Sequence, residues 1–272
     1  MKDKLFDITN KVIIITGGGG VLGGSMASYL AQQGAKIVVI SRREETVQNS
    51  VDEIKASGGE ALGLAVDVLD EEKLKEANAK IIERWGQIDV LINAAGGNLP
   101  GATIAPEQTV FDVSVSDLQK VLDLNLMGSV LPTLVFGKTM ADRKKGSIIN
   151  ISSMASTHAI TRVLGYSMAK AGIDMFTKWM ATEMARKYGD GLRVNAIAPG
   201  FFISNQNRRL LTQEDGSLTE RGNDIIRNTP MGRFGEADEL HGIAHYLCCD
   251  ASQFVTGTII PVDGGFSSFS GV

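Results

Sequence analysis

The sequence has only two cysteines among 272 residues, adjacent as Cys248 and Cys249. Such a pair makes no disulfide framework and lacks metal-ligand spacing, so no metal site is expected, and the usage suits a reducing compartment. Charge of one sign is also scarce: 27 Lys and Arg against 31 Asp and Glu leave a net charge of −4. That excludes the basic footprint of a nucleic-acid binder. No apolar run approaches the roughly 20 residues needed to cross a bilayer. The opening MKDKLFDITN lacks the apolar core of a secretion signal. These absences lead us to expect a cytoplasmic protein with neither a nucleic-acid nor a membrane partner. What is present is a 43% hydrophobic fraction with 21% charged residues, which fits a folded chain rather than a disordered one. A chain of this length can bury a sizeable core without staples.

Short β-branched runs alternate with longer helical patterns. Strands are predicted at Lys11–Thr16, Lys36–Ile40, Ala61–Val66, Ile88–Asn93, Ser147–Ile151, Leu192–Ile197 and Thr256–Val262. Helices are predicted at Ser25–Gln33, Glu44–Ser57, Glu71–Trp85, Ser116–Met140, Val163–Tyr188 and Glu236–Cys248. Gly96–Asp112 reads as a loop and Phe201–Thr229 as a polar, irregular insertion. Runs such as KVIIIT are apolar throughout, as in a strand covered on both faces. No repeat, linker or low-complexity segment interrupts the pattern. The expected fold is a single α/β domain over residues 1–272, a Rossmann-like doubly wound parallel sheet of about seven strands with helices on both faces. An α/β barrel is the competing architecture, and the loop after the first strand argues against it.

That loop, Thr16–Gly24, reads TGGGGVLGG between strand and helix, and Gly18, Gly20 and Gly23 satisfy G-x-G-x-x-G. Glycines let the backbone turn tightly and approach a pyrophosphate, which then meets the amides of a helix N-terminus. A flexible turn without a ligand is the plainer alternative. The tip of the second strand selects between dinucleotides: an acid there suits the ribose hydroxyl of NAD, a base the 2′-phosphate of NADP. Here the tip is Ser41-Arg42-Arg43, with Glu44 and Glu45 placed as first-turn helix acids. NADP(H) is therefore favoured over NAD(H).

Tyr166 and Lys170 lie at i and i+4 of one predicted helix and so share a face. A phenol titrates near ~10, and a nearby ammonium favours its ionised form. Such a tyrosine can donate a proton to a carbonyl oxygen, or take one from a hydroxyl in reverse. Ser153 follows the fifth strand and Asn125 lies in the long helix before it. Asn93 to Gly96 follows the fourth strand and Pro199-Gly200 the sixth, all near the C-terminal strand ends where open α/β sheets bind ligands.

With these pieces in place the sequence resembles the short-chain dehydrogenase/reductase family over nearly its whole length. The matching segments are TGGGGVLG at Thr16–Gly23, Asp67, NAAG at Asn93–Gly96, LNLMG at Leu124–Gly128, ISS at Ile151–Ser153, YSMAK at Tyr166–Lys170, RVNAIAPG at Arg193–Gly200 and VDGG at Val262–Gly265. The resemblance implies an NAD(P)-dependent oxidoreductase whose tetrad is Asn125, Ser153, Tyr166 and Lys170. Tyr166 is then the acid/base, Ser153 orients the substrate carbonyl, Lys170 lowers the tyrosine pKa and holds the nicotinamide ribose, and Asn125 anchors a relay water. It further implies a dinucleotide site formed by Gly17, Gly19, Gly20, Val21 and Leu22, then Ser41 and Arg42. Asp67 and Val68 follow, with Asn93, Ala94 and Gly96, then Tyr166 and Lys170, and finally Pro199, Gly200, Phe202 and Ser204. Val21 stands where the family loop usually has a glycine, and Gly20 where NADP-specific members often carry a base. Family members are usually homotetramers, and the apolar ending of the chain suits an interface.

On the substrate side, Asn98, His158, Arg162, Asn205, Gln206 and Arg208 are the candidate contacts, with the insertion at about 201–229 closing over the substrate as the family resemblance implies. Amides suit a polyhydroxylated chain and arginine a carboxylate. NAAGGN, PGFFISNQNR, TPMGRFGE and the ending VDGGFSSFSGV look like the D-mannonate oxidoreductase, or fructuronate reductase, subgroup. That implies a sugar-acid substrate, D-fructuronate reduced to D-mannonate. Gluconate or polyol dehydrogenases and 3-oxoacyl thioester reductases are the alternatives within the same chemistry. A non-catalytic dinucleotide-binding regulator is the alternative outside it. His241 and His245 have metal-like spacing, yet without a third ligand they read as an ordinary helix face.

Overall fold

The computed structural model describes residues 4–203 and 208–271. In chain order the main elements are β1 (Val12–Thr16), α1 (Val21–Gln32), β2 (Lys36–Ser41), α2 (Glu44–Ala56), β3 (Glu60–Ala65), α3 (Glu71–Trp85) and β4 (Val90–Asn93). There follow α4 (Val115–Leu122), α5 (Gly128–Arg143), β5 (Gly146–Ile151), α6 (Leu164–Tyr188) and β6 (Leu192–Pro199). The chain closes with α7 (Arg208–Leu211), α8 (Glu220–Arg227), α9 (His241–Cys248) and β7 (Ile259–Val262).

Alternate side chains of β1 enter two different cores, which is why its sequence is apolar throughout. Ile13 and Ile15 pack with Met26 and Leu30 of α1, Val51 and Ile54 of α2, and Ala244 and Leu247 of α9. Val12 and Ile14 pack on the other face with Leu74 and Ile81 of α3, Phe136 of α5 and Met180 of α6. All seven strands are parallel, in the order β3-β2-β1-β4-β5-β6-β7. The order reverses between β1 and β4, so the loops after those strands flank a crevice at their C-terminal ends. The fold is a single Rossmann-like domain, as the strand–helix alternation predicts. No described helix is long and apolar enough to cross a membrane.

Local signals fix several boundaries. Helix α3 matches its predicted limits because Asp70 accepts from Lys73 N at 3.1 Å and Gly86 ends it at φ 73°. The predicted helix Ser116–Met140 is instead two helices joined by a π-helical turn at Asp123–Met127. Asn125 in that turn donates to Val121 O and Gly97 O at 2.8 and 2.7 Å. A π turn adds a residue without breaking the helix, so the apolar period runs through it unmarked. The segment read as irregular contains α7 and α8, and Thr219 caps α8 by accepting from Gly222 N at 3.1 Å. The predicted helix Glu236–Cys248 opens as a 3-10 turn, Ala237–Leu240. The last strand is shorter than predicted: Gly257 takes φ 76°, and the regular ladder with β6 runs over Ile259–Val262.

A buried polar chain ties the layers under the crevice. Asn93 Nδ2 donates to Thr133 Oγ1 and to Asn150 Oδ1, each at 2.9 Å. Asn150 Nδ2 in turn donates to Thr177 Oγ1 at 2.9 Å. The chain links β4, β5, α5 and α6. Thr177→Val is expected to strand the Asn150 amide and lower the unfolding free energy by about 1–3 kcal/mol. Urea titration of both proteins measures this, and a loss under about 0.5 kcal/mol means the chain contributes little.

Candidate active site

The crevice begins with β1. Thr16, fully buried, accepts from Ala94 N and Ala95 N at 3.2 and 3.3 Å, holding the end of β4 against the glycine loop. Gly17 sits at φ 67°, and a Cβ there would come within 2.7 Å of Ala94 O. A Cβ at Gly23 would collide with Gly17 O, so α1 could not approach the loop. Gly20 caps α1 without any side-chain hydrogen bond, leaving the first-turn amides open. An open helix start behind a bare glycine turn fits a diphosphate. Val21 opens α1 with its side chain 39% exposed, so the helical backbone needs no glycine there. Leu22, the next loop candidate, is partly buried against the α1 core.

The remaining cofactor candidates line the same edge. Ser41 ends β2 and Arg42 is exposed beyond it, while Glu44 and Glu45 occupy the first turn of α2. Asp67 accepts from Leu69 N at 3.0 Å in the turn after β3, and Val68 is buried against Gly128. Asn93 spends its Nδ2 in the buried polar chain, while its Oδ1 is buried with no partner among the described residues. Pro199 ends β6, and Gly200 N donates to Val262 O at 2.9 Å. Phe202 is buried against Gly235. Ser204, Asn205 and Gln206 lie outside the described residues.

Three consecutive residues at the end of β5 face three side chains of α6. Ile151 O accepts from Lys170 Nζ at 2.6 Å. Ser152 Oγ donates to Asp174 Oδ1 at 2.5 Å. The Ser153 hydroxyl is hydrogen-bonded to Tyr166. Tyr166, Lys170 and Asp174 are spaced by four residues, so they form one stripe along the helix. Burial pushes the Tyr166 phenol above its ordinary value, with Ser153 acting against it. Burial also brings the Lys170 ammonium down to about 8, against the pull of the Asp174 carboxylate. Lys170 Nζ lies 5.4 Å from the centroid of the Tyr166 ring and spends its hydrogen bond on Ile151. Here, then, the expected lowering of the tyrosine pKa is outweighed by burial.

Asn125 is fully buried and pairs with the backbone of Gly97, accepting from its N at 3.1 Å and donating to its O. A Cβ on Gly96 would meet Asn125 Oδ1 at 2.7 Å and Lys170 Nζ at 3.7 Å. Gly96 is thus the point at which these two side chains converge. All four tetrad candidates stand around the ends of β4 and β5.

The substrate-side candidates are more scattered. Asn98 accepts from Leu99 N at 3.0 Å in the loop after β4. His158 meets the Phe266 ring edge-on at 5.9 Å. Arg208 opens α7, exposed. Arg162 takes φ 77° and straps the Gly96–Asp112 loop: its Nε donates to Ile104 O at 2.6 Å, and its carbonyl accepts from Ile104 N at 3.0 Å. Arg221 of α8 donates to Thr161 Oγ1 at 2.9 Å, drawing the insertion toward the start of α6. Sequence spacing does not single out Arg221 or the pairing of Ser152 with Asp174. Asp174 had a legible signal, an acid on the same helical stripe as Tyr166 and Lys170. His241 and His245 both lie against the Tyr29 ring but form different hydrogen bonds: Ser25 Oγ at 2.8 Å for the first, Tyr29 OH and Phe6 O for the second.

A family model described as enoyl-(acyl carrier protein) reductase matches residues 20–267. An uncharacterized oxidoreductase UxuB of Bacillus subtilis is 44% identical over 98% of this chain and 98% of its own length. A Haemophilus influenzae protein provisionally named D-mannonate oxidoreductase, crystallised with NAD, superposes with a TM-score of 0.92 at 44% identity, covering 98% of both chains. A Beutenbergia cavernae protein provisionally named NAD(P)-dependent gluconate 5-dehydrogenase, holding NADP at low occupancy, superposes with a TM-score of 0.85 at 28% identity. It covers 97% of this chain and 100% of that one. Fold, glycine cradle and these similarities agree, and the chain belongs to the short-chain dehydrogenase/reductase family, NAD(P)-dependent oxidoreductases acting on CH–OH groups.

Proposed function

We propose that this enzyme interconverts a keto and a hydroxy sugar acid, D-fructuronate and D-mannonate, with Tyr166 as the acid/base. The observation that carries the chemistry is the half-buried Tyr166 hydrogen-bonded to Ser153, with the buried Lys170 one turn away on the same helix face. A phenol held above its ordinary pKa stays protonated at neutral pH and is ready to donate to a ketone oxygen. Ser153 steers that oxygen toward the phenol. Lys170 would hold the nicotinamide ribose, and Asn125 keeps Gly97 and the loop after β4 in place. A dinucleotide cradled by the glycine loop would supply or accept the hydride. Taking a proton from an alcohol requires the phenolate, so oxidation rises with pH while reduction persists through neutrality.

The sugar-acid reading is supported by the likeness to the Haemophilus influenzae protein and by the arginines beside the site. Arg162 commits Nε to Ile104, which leaves its paired terminal nitrogens for a carboxylate. The insertion at 201–229 acts as the cover over the substrate. Arg42, exposed beyond β2, supports a preference for NADP(H). Phe111, Val115, Met175 and Trp179 leave broad apolar surface exposed on the loop after β4, α4 and α6, and it is covered in a homotetramer. A gluconate or polyol dehydrogenase is the second reading, supported by the Beutenbergia cavernae relative.

Nicotinamide absorbance assays of hexuronates, aldonates and polyols with both cofactors test the substrate. Turnover of uncharged polyols alone removes the sugar-acid reading. Tyr166→Phe is expected to keep cofactor binding and lose at least about 10²-fold in turnover; unchanged turnover removes Tyr166 from the chemistry. Arg42→Ala is expected to raise KM for NADPH by about tenfold and leave NADH nearly unaffected. Equal effects mean the side chain reads no phosphate. In Arg162→Ala, KM is expected to rise for a uronate more than for its uncharged analogue, and parallel losses exclude a carboxylate contact.

A further inference from the structure

Asp174 is a buried acid, 8% exposed, that the chemistry above does not use. It lies one turn beyond Lys170 on α6, about 6 Å along the helix axis. Its carboxylate accepts from Ser152, the residue between the carbonyl that holds Lys170 and the hydroxyl that holds Tyr166. The end of β5 therefore grips the helix stripe at three successive rungs, and Asp174 is the lowest. Lys170 donates to the Ile151 carbonyl of β5, lies beside Gly96 of the β4 loop and the Tyr166 ring, and shares its helix stripe with Asp174. Asp174 is the acid in that set. A buried ammonium without a counter-charge tends to neutralise.

We propose that Asp174 is a positioning residue for the acid–base pair: one turn along the same helix stripe and anchored by Ser152, its carboxylate keeps Lys170 cationic. This rests on Tyr166 and Lys170 acting as proposed above. Without the carboxylate, Lys170 loses its proton at lower pH and no longer supports the phenolate that alcohol oxidation requires. Lys170 also binds ribose in that reading, so its charge state touches both proton transfer and cofactor hold.

The test is the pH profile of kcat/KM for oxidation of D-mannonate, or of the best alcohol from the substrate screen, in the native enzyme, Asp174→Asn and Ser152→Ala. The acid limb is expected to move up by about one pH unit in Asp174→Asn. Ser152→Ala, which frees the carboxylate without removing it, moves the limb the same way by less. A merely structural role lowers the plateau or the melting temperature and leaves the limb in place, and that result overturns the proposal. If Asp174→Asn is too unstable to assay, Ser152→Ala decides, and an unmoved limb overturns it. Tyr166→Phe, run alongside, separates the two failures. Retained turnover there removes the acid–base reading itself, whereas an inactive Tyr166→Phe with an unmoved Asp174→Asn limb removes only the role of Asp174.

Discussion

An ammonium group buried at the junction of β5 and α6 is the constraint on which the active-site region turns. Lys170 cannot keep its charge in an apolar interior unaided, so the surrounding backbone and side chains are arranged to answer it. The Ile151 carbonyl points at its Nζ, the Asp174 carboxylate stands one turn below and the Tyr166 ring lies above. Each partner needs β5 and α6 in one register, because a shift of one residue would turn the strand's side chains to the opposite face. The cost of burying the lysine is thus a reason for the precise seat of α6 on the sheet.

That seat is maintained from below by neutral groups. Asn93, Asn150, Thr133 and Thr177 pass hydrogen bonds across two strands and two helices, among core side chains with almost no solvent exposure. Breaking these buried bonds would strand their donors and acceptors away from water, so the chain resists sliding of any layer over the next. Above it, Thr16 and Asn125 perform the corresponding task for the loops, fixing the end of β4 to the glycine turn and to the π turn.

The opposite pulls on Tyr166 and Lys170 make chemical sense together. Burial favours the neutral form of both groups, leaving a protonated phenol beside an amine whose ammonium titrates near 8. A pair whose neutral forms are both favoured in this way responds measurably to small electrostatic changes.

The sequence by itself determined the parallel doubly wound sheet, because β-branched runs apolar on both faces must be covered on both, and the glycine loop after the first strand favours an open sheet over a barrel. It also determined the glycine cradle, where the absence of side chains is itself the signal, and the Tyr166–Lys170 face through helical spacing. Tertiary structure alone decided the rest. The π turn that aims Asn125 leaves no mark in the apolar period. The strap role of Arg162 depends on a loop 58 residues away in sequence. The pairing of Ser152 with Asp174 spans 22 residues and follows from the register of a strand against a helix. Periodicity reports which face of an element is buried, whereas the partner it meets there is set by how the layers pack.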